Sequence, residues 1–153
     1  MPATRLRDRR TRTISAARKF EESAGAGVYT ASVAVPAGAT ILDIIVNGVA
    51  LWTAATSATL KVGDVADDDG YFTGVNLKAL DLLAGESLSF ESAGGKAGAY
   101  IANAQVSPRY SATARVIAGI VTTVGATGAA GRTRMLVVYV LPLAADVPAA
   151  TKV

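Results

Sequence analysis

The chain has 153 residues, 15 of them basic and 12 acidic, for a net charge of +3, and it is 51% hydrophobic, with 31 alanines and 15 glycines. It contains neither cysteine nor histidine, which excludes disulfide frameworks, thiolate or imidazole zinc sites, thiol catalysis and imidazole general bases. The longest apolar run, residues 135–143, is broken by Pro142 and falls far short of the roughly 20 residues that cross a bilayer.

A chain of this length holds one domain with one ordinary core, plus an appendage. The appendage is expected at residues 1–22. Seven basic side chains (Arg5, Arg7, Arg9, Arg10, Arg12, Arg18 and Lys19) stand there against Asp8, Glu21 and Glu22. The remainder of the chain is slightly acidic, so the whole net positive charge comes from this stretch. With so few apolar residues it is expected to be an extended arm, ordered by a partner. Its arginines and serine touch on the composition of a transit peptide, but Asp8 and the Glu21-Glu22 pair speak against that.

Residues 23–27, with two glycines, read as a hinge. Residues 28–35 alternate as a strand, and Pro36 to Gly38 supplies a turn. Residues 41–52 read as a hairpin turning at Asn47-Gly48, a pair suited to a type I′ turn. Residues 58–62 form a strand that runs into an acidic loop, residues 63–70. Residues 75–83 have the spacing of a short helix or 3₁₀ turn closed by Gly85. Further strands are expected at residues 87–91, 100–106, 111–124 and 134–141, with a bulge at Gly119 and a flexible loop at 125–131. Residues 144–153 read as a tail.

About eight strands with turn signals every 8–15 residues indicate an all-β fold, a β-sandwich or jelly-roll-like single domain over residues 28–143 with an extended basic arm; a closed barrel is the alternative. The expected core is Val33, Val35, Leu42, Ile44, Val46, Leu60, Val62, Leu88, Phe90, Ile117, Val121, Val138 and Val140. Residues 135–141 are apolar on both faces, so alternation alone leaves their buried face open. Strands apolar on both faces also predict a homo-oligomer, a trimer, because one face fills the core and the other needs cover.

Few residues carry chemistry. Asp64, Asp67, Asp68 and Asp69 are dense enough in oxygen to be weighed as a Ca²⁺ loop. The EF-hand spacing fails, since placing Gly70 at the loop glycine puts Val65 at the first ligand position and Asn76 where a bidentate Glu belongs. The favoured reading is a solvated turn, with no metal and no cofactor. Glu86 and Glu91 flank a strand, but a glycosidase-type pair needs an aromatic-lined cleft, and Trp52 is the only tryptophan. No histidine or Ser-x-x-Lys motif activates a serine. Residues 125–131 lack the Lys and Ser/Thr of a phosphate loop. The chain is therefore expected not to be an enzyme.

For the arm, three roles stand side by side: neutralising phosphates of a nucleic acid, strapping across acidic protein surface through Arg–carboxylate contacts, or a solubilising tail. Phe20 is its one residue able to stack on a base, and no reading motif follows it.

The segment LKVGDVADDDGYFTG (residues 60–74) resembles a stretch of tailed-bacteriophage virion proteins encoded among head genes, in which a strand enters Gly-Asp, an acidic loop and then Gly-Tyr. Residues 41–52 and LLAGESL (82–88) fit the same pattern, and the resemblance spans residues 28–91. It implies a head decoration (cement) protein on the outer capsid surface of the virion, assembled in the host cytoplasm, a setting that the lack of cysteine also suits. Its partner would be the major capsid protein, contacted through Arg5, Arg7, Arg9, Arg10, Arg12, Arg18 and Lys19, with neither membrane nor nucleic acid in that role. The alternatives are a tail, collar or head-fibre component, and a basic-armed nucleic-acid-binding protein.

Overall fold

A computed structural model describes residues 12–102, 109–126, 128–141 and 152. Arg5, Arg7, Arg9 and Arg10, the end of the strand expected at 100–106, and the tail apart from Lys152 lie outside the described residues. The described residues form eight strands: β1 (Thr13–Glu21), β2 (Val28–Val35), β3 (Thr40–Ala50), β4 (Ser57–Gly63), β5 (Phe72–Asn76), β6 (Ser87–Leu88), β7 (Arg115–Val124) and β8 (Arg132–Val140). They form two antiparallel sheets in the orders β1-β8-β3-β6 and β2-β7-β4-β5.

The order has a simple origin. β1 pairs with β8, β2 with β7, β3 with β6 and β4 with β5, so the chain is one long hairpin folded back at the β4–β5 connection. Rolling that hairpin adds the β3·β8 and β4·β7 pairings and closes two four-stranded sheets face to face. This is the jelly-roll arrangement of a β-sandwich.

The first strand corrects the expected arm boundary. Residues 13–21, assigned to an extended arm, are paired along their whole length with β8. Beneath the charges lies an inward phase of period two: Ile14 and Ala16 pack against the core, while Phe20 and Glu22 are buried. Residues 13–21 of the expected arm thus belong to the folded body.

Ten of the thirteen expected core residues are buried; Leu42, Val138 and Val140 are not. A register shift between Ile41 and Asp43 changes the phase of β3, so Ile41 and Ile44 point inward and Leu42 is left 44% exposed. In β8 the inward face is Met135, Val137 and Tyr139. The core also takes in Phe20, Trp52, Tyr71 and Phe72. Trp52 meets Tyr29 edge-on at 5.2 Å, and its indole N–H donates to Thr133 Oγ1 at 2.9 Å.

Asn47-Gly48 does not turn the chain. β3 runs straight through it, paired with β8 on one side and β6 on the other. Gly48 is a glycine because the 83–86 turn lies on its backbone: its N–H donates to Glu86 O, its carbonyl accepts from Gly85 N, and a Cβ would fall 2.2 Å from Leu83 O. Gly48→Ala is expected to cost about 1–3 kcal/mol through forced backbone displacement, visible as a lower denaturant midpoint in urea titration.

Three other expectations are corrected. Residues 77–81 form turns rather than a helix, because Asn76 Oδ1 accepts from Lys78 N and Asp81 Oδ2 accepts from Asn76 N, bonds that compete with helical pairing. The strand expected from Tyr100 begins as a single helical turn, Ala99–Ala102, held on the acidic loop by Tyr100 N donating to Gly70 O. Gly119 marks no bulge, since its pairings to Ala31 and Val62 are in continuous register. It leaves room for the Phe20 ring, whose Cζ would sit 2.7 Å from an added Cβ.

Candidate functional site

The basic residues of the N-terminal segment that can be followed, Arg12, Arg18 and Lys19, fall on the outer face and edge of the β1-β8-β3-β6 sheet. Arg12 is joined to the end of β8, its carbonyl accepting from Leu141 N. Arg18, on the edge strand, spans the two sheets: Nε donates to Ser32 O on β2 at 2.7 Å and Nη1 to Ala17 O at 2.9 Å. It covers edge carbonyls of both sheets, a place where an unblunted strand would pair with another chain. Lys19 faces outward and pairs with Glu21 at 3.1 Å; Arg132 Nε approaches the same carboxylate at 3.9 Å.

The register brings four side chains into one row. Lys19 of β1 stands opposite Arg134 of β8, Arg134 opposite Asn47 of β3, and Asn47 opposite Ser87 of β6. Asn47 Nδ2 donates to Ser87 Oγ at 2.6 Å. Arg134 is exposed, and no carboxylate among the described residues pairs with it. An open groove of about 390 Å³ lies beside the row, lined by Asn47, Val49, Glu86, Ser87 and Arg134 among others. Glu86 is already engaged, its Oε2 accepting from Leu83 N. Glu86 therefore serves its own turn, and no catalytic pairing with Glu91 is found among the described residues.

Glu22, counted in the sequence only as charge, joins three segments. It is 3% exposed, and its carboxylate accepts from Thr53 N, Thr53 Oγ1 and Gly131 N at 2.8–3.0 Å. Burial alone would raise its pKa; hydrogen bonds from the Thr53 hydroxyl and from the N–H groups of Gly131, Thr53 and Ala54 outweigh burial and bring it below the ordinary 4.5. A Glu directly after a strand carries no signal of such a role.

The acidic loop is a self-closed turn. Asp64 Oδ1 accepts from Ala66 N, Asp67 N and the Tyr100 hydroxyl at 3.0–3.1 Å. The carboxylates of Asp67, Asp68 and Asp69 lie within 4.8 Å of one another. Asp68 pairs with Lys61, and Asp69 Oδ2 accepts from Thr73 Oγ1 at 2.7 Å. A hydrogen bond shared with Asp69 raises the pKa of Asp67, whereas the Thr73 hydroxyl lowers that of Asp69. Tyr100 is pushed up to about 12, by burial first and then by its bond to Asp64. Asp64 thus closes the loop from within, while Asp68 and Asp69 tie it to Lys61 of β4 and Thr73 of β5.

An aromatic–arginine cluster at the same end escapes the sequence reading. Tyr71 stacks on Phe90 at 5.7 Å and meets Tyr100 edge-on at 5.1 Å. The Arg109 guanidinium sits 4.9 Å from the Phe90 ring, and Arg115 Nη2 donates to Arg109 O. Burial pushes the Tyr71 phenol up to about 12. Only tertiary structure assembles this cluster, from residues 71, 90, 100, 109 and 115.

No family model and no curated protein matches the sequence. Solved structures do. A chain of the cyanophage Pam1 capsid asymmetric unit superposes with a TM-score of 0.57 at 21% identity, covering 93% of this chain and 100% of that one. A chain of the acidic stable capsid of Helicobacter pylori bacteriophage KHP30 superposes with a TM-score of 0.54 at 20% identity, covering 87% and 94%. At this identity the likeness establishes the fold: a jelly-roll sandwich shared over nearly the whole length of each chain.

Proposed function

We propose that this chain is a non-enzymatic capsid component of a tailed bacteriophage, a decoration protein that binds the assembled shell from outside and stabilises it. The observation that carries the reading is the near-complete, two-way superposition on chains of two phage capsids. A chain of similar fold and extent is part of each of those capsid structures. The basic N-terminal segment supports it.

The mechanism is linkage. A ligand that binds only the assembled shell stabilises it by RT ln(1 + [L]/Kd), about 4 kcal/mol per site at a thousandfold excess over Kd. The arm residues Arg5, Arg7, Arg9, Arg10 and Arg12 supply carboxylate contacts of no more than ~1 kcal/mol each, effective together. Deleting residues 1–11 is expected to weaken binding to undecorated particles at least about tenfold, a change of 1.4 kcal/mol, measured by co-sedimentation. Undiminished binding would remove the arm from the mechanism.

The subunit is proposed to act as a homotrimer. On the outer face of the β2-β7-β4-β5 sheet, Val28 is 66% and Val116 51% exposed, and Lys61 is the face's one charge, paired with Asp68. An uncharged face of small and β-branched residues is suited to subunit contact. Sedimentation equilibrium should give a trimer; a monomer at micromolar concentration contradicts it.

A further inference from the structure

We infer that the outer face of the β1-β8-β3-β6 sheet is the surface that docks on the shell, and that it recognises a carboxylate-bearing protein surface through the row Lys19, Arg134, Asn47 and Ser87. This rests on the decoration reading and adds an orientation to it. The two faces of the sandwich differ in charge. Lys19, Arg132 and Arg134 project from this sheet, opposed by Glu21 and by Asp43, whose Oδ1 is taken by the N–H groups of Ile44 and Phe90. The opposite sheet presents Lys61, neutralised by Asp68, and runs into the Asp64–Asp69 loop. β1 is the edge strand of the cationic sheet, and five further arginines precede Thr13 in the sequence.

The chemistry selects protein over nucleic acid. Directly beside the cationic row stands an aliphatic one, Ala17, Leu136 and Ile45, in register on the same face. The outward positions of β1, β8 and β3 carry no aromatic side chain for base stacking. Two of the three cations on this face share Glu21, so among the described residues the face itself offers Arg134 to an external anion, where a tracked phosphate backbone takes several cations. A protein surface with a carboxylate beside apolar side chains satisfies Arg134 and covers the aliphatic row together.

The test is acylation of lysines, read by mass spectrometry, on the isolated protein and on the protein bound to particles. Co-sedimentation comes first; its failure overturns the decoration reading and this inference with it. Given binding, Lys19 is expected to lose at least fivefold in reactivity on attachment, while Lys61 and Lys78 are unchanged. Protection of Lys61 with Lys19 still reactive, or equal protection of both, overturns the orientation and leaves the decoration reading standing. Lys19 already unreactive in the isolated protein assigns the face to a second copy and also overturns it. Arg134→Glu is expected to lower particle affinity at least tenfold with unchanged thermal stability, and Lys78→Glu, in the 77–81 turn away from both proposed interfaces, to leave it unaltered. Equal effects of the two reversals, or a shift of duplex DNA abolished by Arg134→Glu, count against a carboxylate partner.

Discussion

Deleting residues 1–22 is expected to unfold the protein, whereas deleting residues 1–11 leaves every described strand and buried side chain in place. The longer deletion removes the nine-residue strand β1 and exposes the edge of β8. It also removes Phe20, which is 2% exposed and lies over Gly119 of the opposite sheet. A buried Phe truncated to Ala costs about 3–5 kcal/mol, and loss of the Glu22 network adds about 2–4 kcal/mol. Against a typical total stability of about 5–15 kcal/mol, little is left. Circular dichroism of both truncations decides it, and a folded, cooperatively melting 23–153 fragment would show that β1 is an accessory.

Glu22→Ala is the largest single-residue effect expected at a polar position. It strands the buried N–H of Gly131 beside Trp52 and removes the partner of the N–H and hydroxyl of Thr53. The expected loss is about 2–4 kcal/mol, or roughly 4–16 °C in melting temperature at about 2–4 °C per kcal/mol. The pH dependence follows from the sign of the shift. Because the folded pKa lies below the ordinary 4.5, the ionised carboxylate stabilises the fold fully above that value, and the contribution is lost as pH falls through the folded pKa. Glu22→Gln removes the titration, so the stability gap between wild type and this variant should shrink on acidification below about 4.5. A gap constant from pH 7 to pH 3 would mean that the carboxylate's charge is not what the site uses.

What the sequence reveals depends on how local the determining physics is. β2 and β4 alternate cleanly, with one buried face each, and were legible. β1 was obscured because its basic residues dominate its composition, although Ile14, Ala16, Phe20 and Glu22 keep the period of a strand. Asn47-Gly48 misleads because the glycine answers to a backbone some 35 positions along the chain, at Leu83, and not to its own turn. The bulge at Ile41/Asp43 shifts the phase of β3 and turns Leu42 outward, which no alternation count detects. In β8 both faces are apolar, so only pairing with β1 and β3 selects Met135, Val137 and Tyr139 for the core.

The site was legible in character more than in place. Net basicity of the N-terminal stretch is plain in the composition, but Arg18 and Lys19 are divided between a bridge to the other sheet and an outward row. Arg134, Asn47 and Ser87 come together with Lys19 only through strand register across β1, β8, β3 and β6. In the acidic loop Asp64 accepts from the N–H groups of Ala66 and Asp67, as turn chemistry predicts, and Asp69 is bonded to Thr73 of β5.

Cryo-electron microscopy of the intact particle tests the central claim most directly. Eight-stranded density fitting this fold is expected on the outer surface of the shell, with the β1-β8-β3-β6 sheet toward the major capsid protein and the Asp64–Asp69 loop toward solvent. Density for the chain in the neck or tail, inside the shell beside the genome, or missing from the mature particle would contradict it.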